Sequence, residues 1–189
     1  MLRASDAQAL ALSFRPGVGF EYGGASFAKV KMTEACMDFV ESILKESRVR
    51  YREYRCNSTS PIWLTSANQL MASYTALTRF ALIDRHYTGW HAHHVVEGQD
   101  LERLGVADKF PKYEEQLTVL LPQAAHIARV NSVLRNQAPM NAGMTMGDLL
   151  IAYAAAYALM GNYSGGGEQK IRAELMAIAR AILRRVGLE

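Results

Sequence analysis

The chain has 189 residues, of which 50% are hydrophobic and 21% are charged, and its formal net charge is +3. This composition is typical of one globular domain with a sizeable core, and it excludes an intrinsically disordered chain. The mildly basic balance is compatible with a polyanionic partner but does not by itself indicate one.

Residues 1–30 are predicted to be an N-terminal segment, followed by a single domain over residues 31–189. The segment shows no signal-peptide pattern, because its apolar run at Leu10–Leu12 is far too short and follows Asp6. Its glycine-rich end allows two interpretations, a junction with a larger delivery protein or an ordinary loop. The sequence contains no apolar run of about 18 residues, so no membrane span is predicted.

The two cysteines, Cys36 and Cys56, form neither a CxxC pair nor a disulfide framework. Unpaired cysteines of this kind are typical of proteins that work in a reducing compartment. The sequence therefore predicts a cytoplasmic site of action.

Two amphipathic helices are predicted in the first half of the chain. The first runs from Thr33, a good N-cap residue, to about Arg50, and the second runs from Thr65 to about Ile83. Residues 45–55, which continue the first helix, are the densest basic stretch. This stretch would suit phosphate contacts, although a solvated helix face is the simpler interpretation.

A succession of strand, strand and helix is predicted from residue 90 to residue 137. Trp90–Val96 and Leu117–Leu121 are short runs with the composition of strands. Pro122 suits the first position of a helix, where its missing N–H has no consequence. The helix is expected to extend to about Gln137.

Four of the five histidines lie in this region, and His93 and His94 are adjacent. Neighbouring side chains on a strand leave opposite faces, so at most one of the pair can enter a one-sided core. His126 falls in or just past the first turn of the predicted helix. We therefore expect the unit to bring the imidazoles of these three residues around one point, and we interpret His86 and His91 as structural histidines.

The last third of the chain predicts two more helices. Thr145–Asp148 has the form of a capping box in front of the very apolar run Leu149–Met160. The final helix, about Glu168–Val186, has one apolar stripe and ends in basic residues. The predicted fold class is α+β with a majority of helix.

The region from residue 90 to residue 131 resembles the HNH, or ββα-metal, endonucleases, and among them the nuclease domains of bacterial polymorphic toxins. The resemblance rests on Trp90-x-x-His93-His94-Val95-Val96-Glu97 and on Leu117-Thr118-Val119-Leu120-Leu121-Pro122-x-x-x-His126. It implies a small ββα-metal unit over residues 90–137 at the centre of the domain. The family asparagine that positions a loop is missing, with Gln116 and Thr118 as the nearest candidates, and Val130 replaces a second helix ligand.

This resemblance implies a metal-dependent nuclease that hydrolyses phosphodiester bonds, in DNA rather than RNA. His93 and His126 would hold Mg²⁺, Mn²⁺, Ni²⁺ or Zn²⁺, and His94 would be the general base that deprotonates the attacking water. It also implies an antibacterial toxin, exported as part of a larger effector and blocked by a cognate immunity protein.

The remaining candidate residues have two interpretations each. Glu97 either orients a histidine from outside the ligand set or is a solvated carboxylate at the end of a strand. Arg79, Arg85 and Arg129 are candidates for phosphate contacts, although surface solvation is the default for the first two. A non-catalytic nucleic-acid-binding or structural domain with a degenerate HNH fold is the alternative to an enzyme.

Overall fold

The computed structural model of the protein describes residues 34–56, 60–137 and 145–185. The predicted N-terminal segment and the predicted cap Thr33 lie outside the described residues. Within them the fold is α+β, with helices packed around one antiparallel sheet, which confirms the predicted class. None of the described helices combines the length and apolar character that are needed to cross a bilayer.

In the described residues the sheet consists of five strands. They are β1 (Tyr51–Cys56), β2 (Ser60–Thr65), β3 (Leu70–Ser73), β4 (Trp90–His94) and β5 (Leu117–Pro122). Their order across the sheet is β1-β2-β3-β5-β4, and all these pairs are antiparallel. The two strands that the sequence predicted after residue 90 are therefore confirmed as neighbours, and β4 lies at one edge.

The described residues form three short 3₁₀-helices, Arg85–Tyr87, Ala107–Lys109 and Tyr113–Glu115, and the predicted capping box is confirmed. Six longer helices accompany the sheet in the same part of the chain. They are α1 (Glu34–Glu46), α2 (Tyr74–Ile83), α3 (Gly98–Arg103), α4 (residues 123–137), α5 (Met146–Ala158) and α6 (Glu168–Arg185). Helix α4 has a π-helical segment, His126–Asn131, between the α-helical segments Gln123–Ala125 and Ser132–Gln137.

The first predicted helix is shorter than expected. It ends at Glu46 rather than Arg50, because Arg48 adopts a left-handed backbone conformation with a φ of 57°. The basic residues from 51 to 55 lie in β1 at the other edge of the sheet. The interpretation of residues 45–55 as one helix face is therefore wrong.

The prediction of a second helix from Thr65 to about Ile83 is wrong over its first half. Strand β2 ends at Thr65, a turn with Asn68 at a φ of 58° leads to β3, and α2 begins only at Tyr74. The Ser73 side chain caps α2 by accepting a hydrogen bond from the Ala76 N–H at 3.3 Å. Residues 61–65 and 70–73 are all buried. A short run that is buried on both faces lacks the alternation that identifies a strand.

A buried polar network attaches the β2–β3 turn to α6. The Glu174 carboxylate accepts hydrogen bonds from the Ser66 hydroxyl, the Ala67 N–H and the Gln69 side-chain amide, at 2.5, 3.0 and 2.9 Å. The Gln69 side-chain oxygen in turn accepts from the Tyr163 hydroxyl at 2.7 Å. Such a network rigidifies a core because each member left without its partner would be costly.

Candidate metal centre

Strands β4 and β5 and helix α4 together position two of the predicted histidines. His93 lies opposite Val119 in the β4–β5 ladder, and α4 begins directly after β5. The Gln123 N–H donates to the Gly89 carbonyl at 2.8 Å, so the start of α4 is tied to the start of β4. This places the face of β4 that carries His91 and His93 against His126.

His93, Glu97 and His126 form a group that could hold a metal ion. One ligand atom from each of the three lies within 4.8 Å of the others. Nδ1 of His93 is 3.2 Å from Oε1 of Glu97, and the rings of His93 and His126 have centroids 5.0 Å apart. Glu97, which the sequence left outside the ligand set or in solvent, therefore belongs to the group itself.

The His93 ring is buried without a hydrogen-bond partner. Its side chain is 0% exposed, and neither Nδ1 nor Nε2 makes a hydrogen bond among the described residues. The Glu97 carboxylate approaches Nδ1 to 3.2 Å without meeting the geometry of a hydrogen bond. A buried polar group without a partner costs roughly 1–3 kcal/mol. An ion between His93, Glu97 and His126 would give this ring the partner that the described residues do not provide.

The protonation states of His126 and Glu97 are those of metal ligands. Burial, followed by the neighbouring His93, lowers the pKa of His126 to about 4, so its imidazole is neutral near pH 7. Burial alone would raise the pKa of Glu97, but the histidines beside it outweigh this effect and lower the pKa overall. Two imidazoles and one carboxylate are a common donor set for catalytic zinc and related ions.

His94 leaves the strand on the other side and lies among tyrosines. Its ring stacks on Tyr74 with a centroid distance of 4.9 Å and an angle of 14°, and Nε2 is 3.1 Å from the Tyr113 carbonyl oxygen. A carbonyl only accepts, so Nε2 carries the proton and Nδ1 keeps a lone pair. Burial lowers the pKa of His94, which keeps the ring neutral and able to accept a proton at Nδ1.

One cavity of about 280 Å³ is lined both by His93, Glu97 and His126 and by His94. Polar and charged side chains from β4, α3 and α4 form much of its wall, and Tyr74 and Tyr113 border the His94 side. The lining residues are Tyr74, Ala92, His93, His94, Glu97, Gln99, Asp100, Arg103, Tyr113, His126, Asn131, Leu134 and Arg135.

The π-helical segment of α4 changes which side chains share a face with His126. In a π-helix the hydrogen bonds join residues five apart, so such residues lie nearly above one another. Asn131, five residues after His126, accordingly lines the cavity, whereas Val130 is fully buried in the core. The resemblance to the HNH family places a second helix ligand at position 130, where this chain has the buried Val130.

The arginines at the cavity differ from those that the sequence proposed. Arg79 and Arg85 are exposed and do not line the cavity, and the Arg129 guanidinium donates to the Leu159 carbonyl at 2.7 Å. Arg103 on α3 and Arg135 on α4 line it instead. Spacing along the chain gave no signal for this pair, since it depends on how α3 and α4 lie relative to each other.

The two candidates for the missing asparagine have different surroundings. The Gln116 side-chain amide donates to the Pro111 carbonyl at 3.2 Å, so it holds the segment before β5, as a loop-positioning residue would. The Thr118 hydroxyl donates to the Ala72 carbonyl at 2.9 Å and is fully buried in the sheet. Of the two structural histidines, His86 is exposed, and His91 contacts His126.

Helix α5 supports the segment that carries Glu97. The buried Tyr153 hydroxyl donates to the Asp100 carboxylate at 2.7 Å and accepts from the Glu97 N–H at 2.6 Å. The Tyr157 hydroxyl donates to the Val95 carbonyl at 2.7 Å. Two tyrosines of one helix therefore fix the backbone on both sides of Glu97.

Tyr153→Phe is expected to lower the free energy of unfolding by roughly 1–3 kcal/mol, because the Asp100 carboxylate and the Glu97 N–H both lose a buried partner. Urea denaturation of the metal-free protein measures this loss. The matched control is Tyr113→Phe, whose residue is 50% exposed, and its effect should stay within about 0.5 kcal/mol. Equal stability of Tyr153→Phe and the wild type would show that α5 does not support this segment.

Comparison of the chain with protein-family models, curated proteins and solved structures finds no match. The interpretation of the site therefore depends on its own residues and their geometry.

Proposed function

We propose that the chain is a metal-dependent nuclease that hydrolyses phosphodiester bonds, with β4, β5 and α4 as its ββα-metal unit. One observation carries the proposal. A buried histidine, His93, has two ring nitrogens without hydrogen bonds among the described residues, and it lies beside the Glu97 carboxylate and the neutral imidazole of His126. Natural cores satisfy their buried polar groups, so this arrangement is best explained by a bound ion.

His93, Glu97 and His126 would hold the ion. Imidazole nitrogen suits Zn²⁺ and Ni²⁺ better than Mg²⁺ and Mn²⁺, which prefer oxygen ligands, so the donor set favours Zn²⁺ and Ni²⁺ among the four. When bound, such an ion supplies positive charge to the scissile phosphate and to the departing oxygen. Three protein ligands leave further positions open, which is the arrangement of catalytic rather than structural sites.

His94 would act as the general base. Its Nε2–H is held by the Tyr113 carbonyl and its ring by Tyr74, so the orientation of Nδ1 is fixed. His94 lines the same cavity as His93, Glu97 and His126, and a water molecule in that cavity could pass its proton to Nδ1 as it attacks the phosphorus. Tyr74 and Tyr113 thus orient the base, whereas His93 leaves the opposite face of β4 towards Glu97 and His126.

Arg103 and Arg135 would bind the anionic substrate. The charged residues that line the cavity are Glu97 and Asp100, with a formal charge of −2, and these two arginines, with +2, so they cancel. A divalent ion would make the cavity positive by two charges. Phosphate binding is therefore expected to depend on the ion, and the arginines would hold the phosphates that flank the scissile one.

Replacing both arginines, Arg103→Gln with Arg135→Gln, is expected to weaken binding of single-stranded and duplex oligonucleotides. Loss of two phosphate contacts should also reduce the slope of log affinity against log salt concentration by about 2. Fluorescence anisotropy with labelled DNA in a non-cleaving His94→Ala background measures both effects. Arg79→Gln with Arg85→Gln is the matched control, since neither residue lines the cavity, and an equal effect in both double variants would contradict the assignment.

Nuclease activity is tested by incubating the purified chain with plasmid DNA and with RNA, with and without Mg²⁺, Mn²⁺, Ni²⁺ or Zn²⁺. We expect cleavage that requires an ion, stops with EDTA and is lost in His94→Ala. Binding of nucleic acid without cleavage under every condition would support the alternative, a non-catalytic nucleic-acid-binding domain. The comparison of the two substrates also tests the proposed preference for DNA.

We further propose that the chain is an antibacterial toxin module, with a cognate immunity protein as its inhibitor. The support is the resemblance of residues 90–131 to the toxin nucleases. Growth arrest of bacteria that express the wild-type chain, but not of bacteria that express His94→Ala, would be the expected result.

A further inference from the structure

His91 contacts the candidate ligand His126 directly. Their Nδ1 atoms are 3.3 Å apart, and the two rings are nearly perpendicular, at 87°. His91 lies two residues before His93 on β4, so both side chains leave the strand on the same face. Among the described residues, the ligand group nevertheless consists of His93, Glu97 and His126 without His91. The contact therefore calls for a role beside the ligands.

We propose that His91 is a positioning residue that fixes the tautomer of His126. The inference rests on the proposed metal centre, and it assigns a role to a residue outside the ligand group. A hydrogen bond between two imidazoles needs one N–H and one lone pair. When Nδ1 of His126 donates its proton to the lone pair on Nδ1 of His91, Nε2 of His126 is left without a proton. That nitrogen is then the one that can bind an ion.

The arrangement also fixes the direction of the His126 ring. His126 is the first residue of the π-helical segment, where the backbone hydrogen bonds change register, and its side chain is only half-buried. An anchor on a strand would limit the rotation of this ring. His91 is suited to that task because it is paired with Leu121 in the β4–β5 ladder. Metal-binding histidines generally have such a partner on their second nitrogen, and its loss lowers metal affinity by roughly 10–100-fold.

A His91 that only fills space would respond differently to substitution from a His91 that accepts a hydrogen bond from His126. A phenyl ring could fill the space of the His91 imidazole and keep the edge-to-face contact, but it has no lone pair. An asparagine would lose the ring and keep an oxygen acceptor close to the position of Nδ1. The variants His91→Phe and His91→Asn therefore separate shape from hydrogen bonding.

The test uses Zn²⁺ alone as the ligand, measured by isothermal titration calorimetry, so that nuclease activity is not needed. We expect His91→Phe to bind Zn²⁺ roughly 10–100-fold more weakly than the wild type and His91→Asn to regain most of the affinity. His86→Phe is the control, because His86 is exposed and outside the cavity, and it should bind like the wild type.

A second measurement needs no variant and no metal. Nitrogen-15 NMR of the metal-free wild-type protein should show His126 protonated on Nδ1 and unprotonated on Nε2, and in His91→Phe this preference should be lost. Protonation of His126 on Nε2 in the wild type would overturn the proposal, and so would wild-type Zn²⁺ affinity in His91→Phe. Absence of Zn²⁺ binding by the wild type would instead refute the metal centre, while the NMR result would still decide the His91–His126 hydrogen bond.

Discussion

His93→Ala and His126→Ala are each expected to bind a divalent ion at least about 100-fold more weakly. Even the loss of a residue that only hydrogen-bonds to a metal ligand lowers metal affinity by about 10–100-fold. Each substitution removes one of three donors from a group that lies within 4.8 Å. Nuclease activity should disappear with the ion. His94→Ala should keep the ion and lose the activity, because His94 hydrogen-bonds to the Tyr113 carbonyl and is not in the ligand group.

Calorimetry with Zn²⁺, Ni²⁺ and Mn²⁺ on the three variants measures these differences. His86→Ala is the matched control, because it removes an exposed histidine outside the cavity. Equal ion binding in all three variants would contradict the separate roles of ligand and base. Loss of binding in His94→Ala alone would assign the ion to the tyrosine side of the cavity instead.

Gly166→Ala is expected to lower the free energy of unfolding by roughly 3 kcal/mol or more, the upper end of overpacking effects. A Cβ at Gly166 would overlap the backbone of Ala67, including its carbonyl oxygen. Ala67 cannot easily move away, because its N–H donates to Glu174 and its carbonyl accepts from the Ser164 hydroxyl. The clash therefore falls on the network that attaches the β2–β3 turn to α6.

Guanidinium chloride denaturation measures this change, provided that the slope of the free energy of unfolding against denaturant concentration is compared between the two proteins. Gly147→Ala is the control, because a Cβ there meets only the Thr145 Oγ1 atom at 3.5 Å, an ordinary contact. Alanine in helix α5 should raise the free energy of unfolding by up to about 1 kcal/mol. A midpoint for Gly166→Ala that equals the wild type would mean that residues 161–167 do not pack on Ala67.

Local patterns were sufficient to predict the elements that carry His93 and His126. The β-branched pair Val95-Val96 and Pro122 are signals set by neighbouring residues, and they lie close to the end of β4 and the start of α4. The predicted boundaries differ slightly, since β4 ends at His94 rather than Val96 and Pro122 is the last residue of β5 rather than the first of α4. The same local patterns failed between residues 51 and 73, where three of the five strands lie. Trp63 and Met71 are buried together with the residues on either side of them, so their segments show no period of two.

The site was less predictable because its members come from separate elements. Tyr74, which stacks on His94, belongs to α2, and no spacing along the chain relates it to β4. Glu97 joins His93 because the chain turns directly after the strand, and Asn131 reaches the cavity only through the π-helical segment. His91 was interpreted as structural by default, and its contact with His126 required the packing of α4 on β4.

Anomalous diffraction from crystals of the Zn²⁺-loaded protein tests the metal centre most directly. The account predicts one ion with nitrogen atoms of His93 and His126 and an oxygen atom of Glu97 at about 2.0–2.2 Å. An ion bound through His94, or a fully loaded protein with no ion between His93, Glu97 and His126, would contradict it.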